Sequence, residues 1–189
     1  MGDVALTLID KFGEKSAPGT VNPEGVTALI LACSNNLDTV ALRLIGKFGA
    51  MTRPWQTTKR GNTALMSACG KGMGDVVLAL IDKFGEKARP EQVNSVGDTA
   101  LLWACSKSMS EVALKLIDRF SDKVRPEQVN LKGDTALIVA CKKGMVDVAL
   151  ALIDKFGENT RPEQVNSEGV TALTLAMRNG LKAVADRLG

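Results

Sequence analysis

Apolar residues recur along this chain in paired clusters separated by short polar stretches. From Thr99 to Lys107, the residues Leu101, Leu102, Ala104 and Cys105 fall at helical spacing. From Glu111 to Phe120 the same spacing returns through Val112, Ala113, Leu116, Ile117 and Phe120. Two amphipathic helices are therefore predicted in succession. Ser108 stands between them, where Asn36, Gly72, Gly144 and Gly180 stand elsewhere; Gly and Asn suit the left-handed conformation that ends a helix, and Ser suits it less. Asp75, Glu111 and Asp147 fall in the first turn of the second helix, where the helix dipole favours an anion. In the polar run Arg125 to Asn130 that follows, Pro126 suits the first position of a short helical turn. A glycine-containing tip such as Asn94 to Asp98 then leads into the next pair.

The whole pattern repeats. Thr27-Ala28-Leu29 returns as Thr63-Ala64-Leu65, Thr99-Ala100-Leu101, Thr135-Ala136-Leu137 and Thr171-Ala172-Leu173, each 36 residues after the last. Leu80-Ile81-Asp82-Lys83-Phe84 keeps the same step with Leu116 to Phe120 and Leu152 to Phe156, and Leu8 to Phe12 also fits. The chain thus reads as one continuous array over residues 1–189. Residues 1–24 form a half repeat, either a minimal cap or part of a longer array. Full repeats follow over 25–60, 61–96, 97–132 and 133–168, with a hydrophilic capping repeat over 169–189. A single such unit cannot bury its apolar face; stacked neighbours can.

Gly133, Thr135, Leu137, Ala140, Gly144, Val148 and Leu152 lie at framework positions that resemble those of the ankyrin repeat. The tetratricopeptide repeat has a similar period, but it needs a tyrosine in its framework and this chain has none. The resemblance implies an all-α ankyrin-type helix-turn-helix solenoid with short connecting tips. It carries departures. The period exceeds the ankyrin length of about 33 residues, and the excess is expected between the second helix and the loop, at Gly85 to Gln92 and its equivalents. The family's Thr-Pro-Leu-His becomes Thr-Ala-Leu without His. Asn94 and Thr99 are five residues apart, which predicts a tight turn in place of a projecting hairpin.

Composition narrows the function classes. A net charge of +3 is too weak to point to nucleic acid. No apolar run approaches the roughly 18 residues of a membrane span, and no signal-peptide pattern opens the chain; intracellular, cytoplasmic residence is the expectation, with no membrane partner. Cys33, Cys69, Cys105 and Cys141 share one helical position in successive units. Stacked helices lie about 8–10 Å apart, beyond the roughly 7 Å that a disulfide spans, so a ladder of thiols is read as apolar packing without metal. With no His in the chain, the usual base for a Ser or Cys nucleophile is missing. Asp82, Asp118 and Asp154 recur at equivalent places and read as solvated helix faces or structural pairs. No catalytic residue and no cofactor is expected.

Positions constant between units serve the stack; those that vary are free for recognition or for drift. The ankyrin resemblance implies binding through loop tips and the exposed side of the first helix. Varying residues there include Lys59, Arg60, Asn62, Lys71, Asp98, Lys107, Lys132, Asp134, Lys142, Lys143 and Arg178. Cations outnumber anions among the varying positions, which favours a protein partner with an acidic surface, although ordinary solubilising charge gives the same count. Trp103 on the first helix is either a large core residue or a binding hot spot. Trp55 replaces the glutamate found at Glu91, Glu127 and Glu163, in a loop that also diverges at Met51, Thr57 and Thr58. The expected role is a monomeric scaffold or adaptor that binds a protein or peptide through its concave face and loop tips. A targeting fragment of a larger enzyme or effector, and a structural or engineered scaffold without a partner, stay open as alternatives.

Overall fold

The computed structural model describes residues 2–12 and 17–189. The chain divides into two compact units, Met1–Gln92 and Val93–Gly189. The first unit holds α1 (Gly2–Phe12), α2 (Ala28–Ser34), α3 (Asp38–Phe48), α4 (Ala64–Lys71) and α5 (Gly74–Phe84). The second holds α6 (Ala100–Ser106), α7 (Ser110–Arg119), α8 (Ala136–Lys142), α9 (Val146–Phe156), α10 (Ala172–Arg178) and α11 (Lys182–Leu188). Within each unit, first helices stack on first helices and second on second: α2 on α4, and α1, α3 and α5 in file; α6, α8 and α10 in one row, and α7, α9 and α11 in the other.

The Thr-Ala-Leu signature starts each first helix. Thr27, Thr63, Thr99, Thr135 and Thr171 are N-caps whose hydroxyls accept from the backbone N–H three residues on, at 3.1–3.2 Å. Each cap satisfies an N–H that the helix start would otherwise leave orphaned. At the other end, Asn36, Gly72, Ser108, Gly144 and Gly180 all take positive φ. The next residue's N–H reaches back across the turn, as from Met109 to the Ala104 carbonyl at 2.9 Å, and Ser108 N–H reaches the Cys105 carbonyl at 3.0 Å. That pair of bonds closes a helix with a left-handed residue. Ser108 therefore does what the glycines do, against the steric cost of its Cβ. The apolar columns fill the interior: Leu65, Ala68 and Cys69 beneath α4, and Leu137, Ala140 and Cys141 beneath α8, are buried.

The lengthened connection is ordered. After α3, α5 and α9 comes a short 3-10 helix, at Gly49–Thr52, Gly85–Ala88 and Gly157–Thr160. It begins on a glycine at φ 52° and ψ −129° in the case of Gly85, a region closed to side chains. Ser121 stands at that place in the third repeat; α7 ends at Arg119 and the chain instead passes through turns, with Val124 N–H on the Phe120 carbonyl at 2.9 Å. The proline expected to start a helical turn does not. Pro54, Pro90, Pro126 and Pro162 occupy the second position of a β-turn closed by the bond from Gln56, Gln92, Gln128 or Gln164 to the arginine three residues earlier, at 3.0–3.2 Å. The fixed φ of proline suits that position equally well, and the short helix lies one segment before it.

The tips are tight turns, as the spacing predicts. Asn94 N–H bonds the Asp98 carbonyl at 3.0 Å, and the Asn94 carboxamide oxygen accepts from Val96 and Asp98 N–H at 3.0 and 2.9 Å. Successive tips touch through single backbone bonds: Lys59 to Glu24 at 3.0 Å in the first unit, and Leu131 to Val96 at 2.9 Å and Ser167 to Lys132 at 2.8 Å in the second. Such close approach needs glycine at the tip. A Cβ on Gly97 would lie 2.8 Å from Asn130 Cα, and its φ is +82°.

Candidate protein-binding surface

In the first unit, Lys59 is tied to Glu24 by its side chain, Nζ to Oε1 at 3.0 Å, as well as by its backbone. Arg60 projects from the same tip and Lys71 from the last turn of α4, both exposed. Asn62 is half-buried, and its N–H donates to the Thr58 hydroxyl at 3.2 Å. Trp55 is 41% exposed. It occupies the third position of the Arg53–Gln56 β-turn, in the connection rather than at the tip. At the equivalent place, Glu91 pairs with Arg89 at 3.5 Å; Trp55 presents an indole to solvent where that ion pair would stand.

In the second unit the expected site residues separate into two groups. Asp98 and Asp134 belong to the stack. Asn130 Nδ2 donates to Asp98 Oδ1 at 3.0 Å, and Asn166 Nδ2 to Asp134 Oδ1 at 2.8 Å. Asp134 is only 8% exposed. Burial raises the Asp98 carboxyl above its ordinary range, against the opposing pull of the Asn130 hydrogen bond and the Lys132 charge. In the first unit Val26 and Thr58 take the corresponding places, so variation along this column tracks a bridge between tips. Trp103, on α6, is half-buried.

Lys107, Lys132, Lys142, Lys143 and Arg178 form the other group, and all are exposed. Lys142 bonds the exposed carboxylate of Glu168. The hydrogen bond and charge of Lys142, with lesser help from Arg178 and Lys132, hold the Glu168 carboxyl below its ordinary range. Lys142 thus binds this carboxylate directly, at the junction of tips and first helices, while Arg178 and Lys132 add weaker charge effects. Beside them lies an apolar feature at two further varying tip positions: Leu131, 79% exposed, next to the 40% exposed Val96 whose carbonyl it binds. In the sequence Leu131 stands where Pro23, Lys59, Ser95 and Ser167 stand in the other repeats.

The remaining chemistry is structural. All four cysteines are buried and outside any disulfide. Burial pushes the thiols of Cys33, Cys105 and Cys141 up to about 12, so they are not nucleophiles near neutral pH. Among the described residues no group of His, Cys, Asp or Glu is placed to hold a metal ion. The repeated aspartates pair across successive second helices: Asp118 with Lys155 at 3.3 Å, and Asp154 with Arg187.

A family model described as ankyrin repeats in 3 copies matches residues 2–91, 43–127 and 114–188. The chain belongs to the ankyrin repeat family. Ankyrin repeats generally mediate protein–protein interaction, and such domains are typically non-catalytic. No curated protein matches the chain. Among the described residues no helix is long and apolar enough to cross a membrane.

Proposed function

We propose that this chain is a monomeric interaction scaffold that holds a protein partner through its tips and the exposed sides of its first helices. One observation carries the reading. The threonine caps and buried aliphatic columns that recur between repeats are consumed by the stack, whereas Arg60, Lys132 and Arg178 stand at positions that vary and emerge exposed, together with an exposed lysine at 71, 107 and 143. Reduced buried thiols suit an intracellular setting. Trp55 offers a second contact in the first unit, since exposed tryptophan is enriched at binding hot spots.

The test is affinity capture from the source cells with wild type and two charge-reversed proteins. The expected result is a partner retained by Asp118→Lys, on the second-helix side, and lost by Lys143→Glu with Arg178→Glu. Loss by Asp118→Lys alone contradicts the reading.

A further inference from the structure

We propose that the tip and first-helix surface of the second unit holds an acidic peptide segment bearing an aliphatic side chain, and that Glu168 occupies the place of one of that segment's carboxylates. The inference rests on the protein-interaction reading and adds the chemistry of the partner. Lys142 holds Glu168 directly, and Lys132 and Arg178 act on the same carboxylate. One anion cannot neutralise three cations, and Lys143 adjoins them without an ion pair among the described residues. Asp98 and Asp134, held by Asn130 and Asn166, add two carboxylates, and against these and Glu168 stand Lys107, Lys132, Lys142, Lys143 and Arg178. The surface is left with a cationic surplus that an acidic segment complements.

The apolar neighbour decides the class of partner. Leu131 and Val96 form an exposed aliphatic pair on adjoining tips, joined by the 2.9 Å backbone bond and flanked by Lys132. A phosphate backbone has no use for an aliphatic contact of this kind, whereas a peptide with a leucine among its glutamates meets both features at once. The aromatic on the first helices of this unit, Trp103, is half-buried, so it offers a base less than the open face that stacking uses. Glu168 then behaves as a resident competitor: it pre-aligns the cations and must yield to, or share them with, the incoming carboxylate.

The experiment is fluorescence anisotropy of the full chain with a labelled peptide of glutamates flanking a single leucine. Companion probes carry glutamine for glutamate, or glycine for leucine, and a polyuridine oligonucleotide serves as the nucleic-acid probe. Wild type is expected to bind the glutamate–leucine peptide best, and more weakly as salt rises. Glu168→Gln is expected to tighten binding about two- to fivefold, and Lys142→Gln and Arg178→Gln to weaken it by a similar factor, the scale of one exposed charge pair. Leu131→Ser weakens binding of the leucine peptide and leaves the glycine version unchanged. The inference is overturned if Glu168→Gln weakens binding or leaves it unaltered, or if the oligonucleotide binds more tightly than every peptide. Failure of wild type to bind any peptide also overturns it; a partner captured through Lys143 and Arg178 would still uphold the broader reading.

Discussion

Replacing Asn166 with alanine removes more than one hydrogen bond. Its carboxamide oxygen accepts from Glu168 and Val170 N–H at 3.0 and 3.2 Å, while Nδ2 donates to Asp134 Oδ1 at 2.8 Å. Asn166 is 6% exposed and Asp134 8%, so water replaces these bonds poorly. An ordinary hydrogen bond nets about 1 kcal/mol, and one to a carboxylate about 1.5–3 kcal/mol. With partial solvent access to the Glu168 N–H, Asn166→Ala is expected to cost about 3 kcal/mol. Asn22 is the internal control. It makes the same two backbone bonds, from Glu24 and Val26 N–H at 3.0 and 2.9 Å, but it is exposed and has no carboxylate bonded to its Nδ2 among the described residues. Asn22→Ala should cost about 1 kcal/mol. Urea unfolding followed by circular dichroism gives both values, and a double-mutant cycle with Asp134→Ala isolates the side-chain pair at roughly 1 kcal/mol or more of coupling. Equal costs for Asn166→Ala and Asn22→Ala, or zero coupling, would refute the bridge between tips.

Glycine and arginine at positive φ respond oppositely to exchange. Gly97→Ala, which drives a Cβ to 2.7 Å from the Val129 carbonyl, should cost at least about 2 kcal/mol in a thermal or urea melt. Arg125, at φ +50°, carries strain that Arg125→Gly relieves; the cost of the freer unfolded chain offsets part of it, so stability should stay level or rise by up to about 1 kcal/mol, and a loss would contradict the strain argument. The buried thiols should resist Ellman's reagent in the native protein and react on unfolding; prompt native labelling would show that the cysteine ladder is open. Their linkage has a definite sign. An unfolded thiol ionises from about 9.0 while the folded one waits until about 12, so stability is whole below pH 9 and falls as pH rises between those values. Each such thiol contributes on the order of 1 kcal/mol per pH unit, and Cys105→Ala should flatten the alkaline decline.

Much of the fold was legible because repetition separates signal from accident. Five copies of Thr-Ala-Leu, a thiol at one helical position and glycine or asparagine at one turn left little freedom in where helices start, pack and stop. The cap role of the threonine was less visible, since alanine and leucine beside it dominate the apolar pattern, although a threonine before an apolar run is the ordinary sign of an N-cap. The proline misled because a helix start and the second place of a β-turn demand the same φ. Variation between repeats proved an imperfect guide to recognition residues. Asp98 and Asp134 vary from Val26 and Asn62 yet serve the stack, because the residue they bond sits one repeat further on and changes with them along the first-unit column. Leu131 was legible as a varying tip position, but its 79% exposure follows only from the tight turn that carries it.

A photoreactive phenylalanine analogue placed in turn at Lys143 and at Asp118 asks which side of the second unit meets a partner, both positions being exposed. In the source cells, ultraviolet light should join the Lys143 protein to a discrete protein partner and leave the Asp118 protein unlinked. Cross-linking at Asp118 with none at Lys143 would place recognition on the second helices and contradict a tip and first-helix surface.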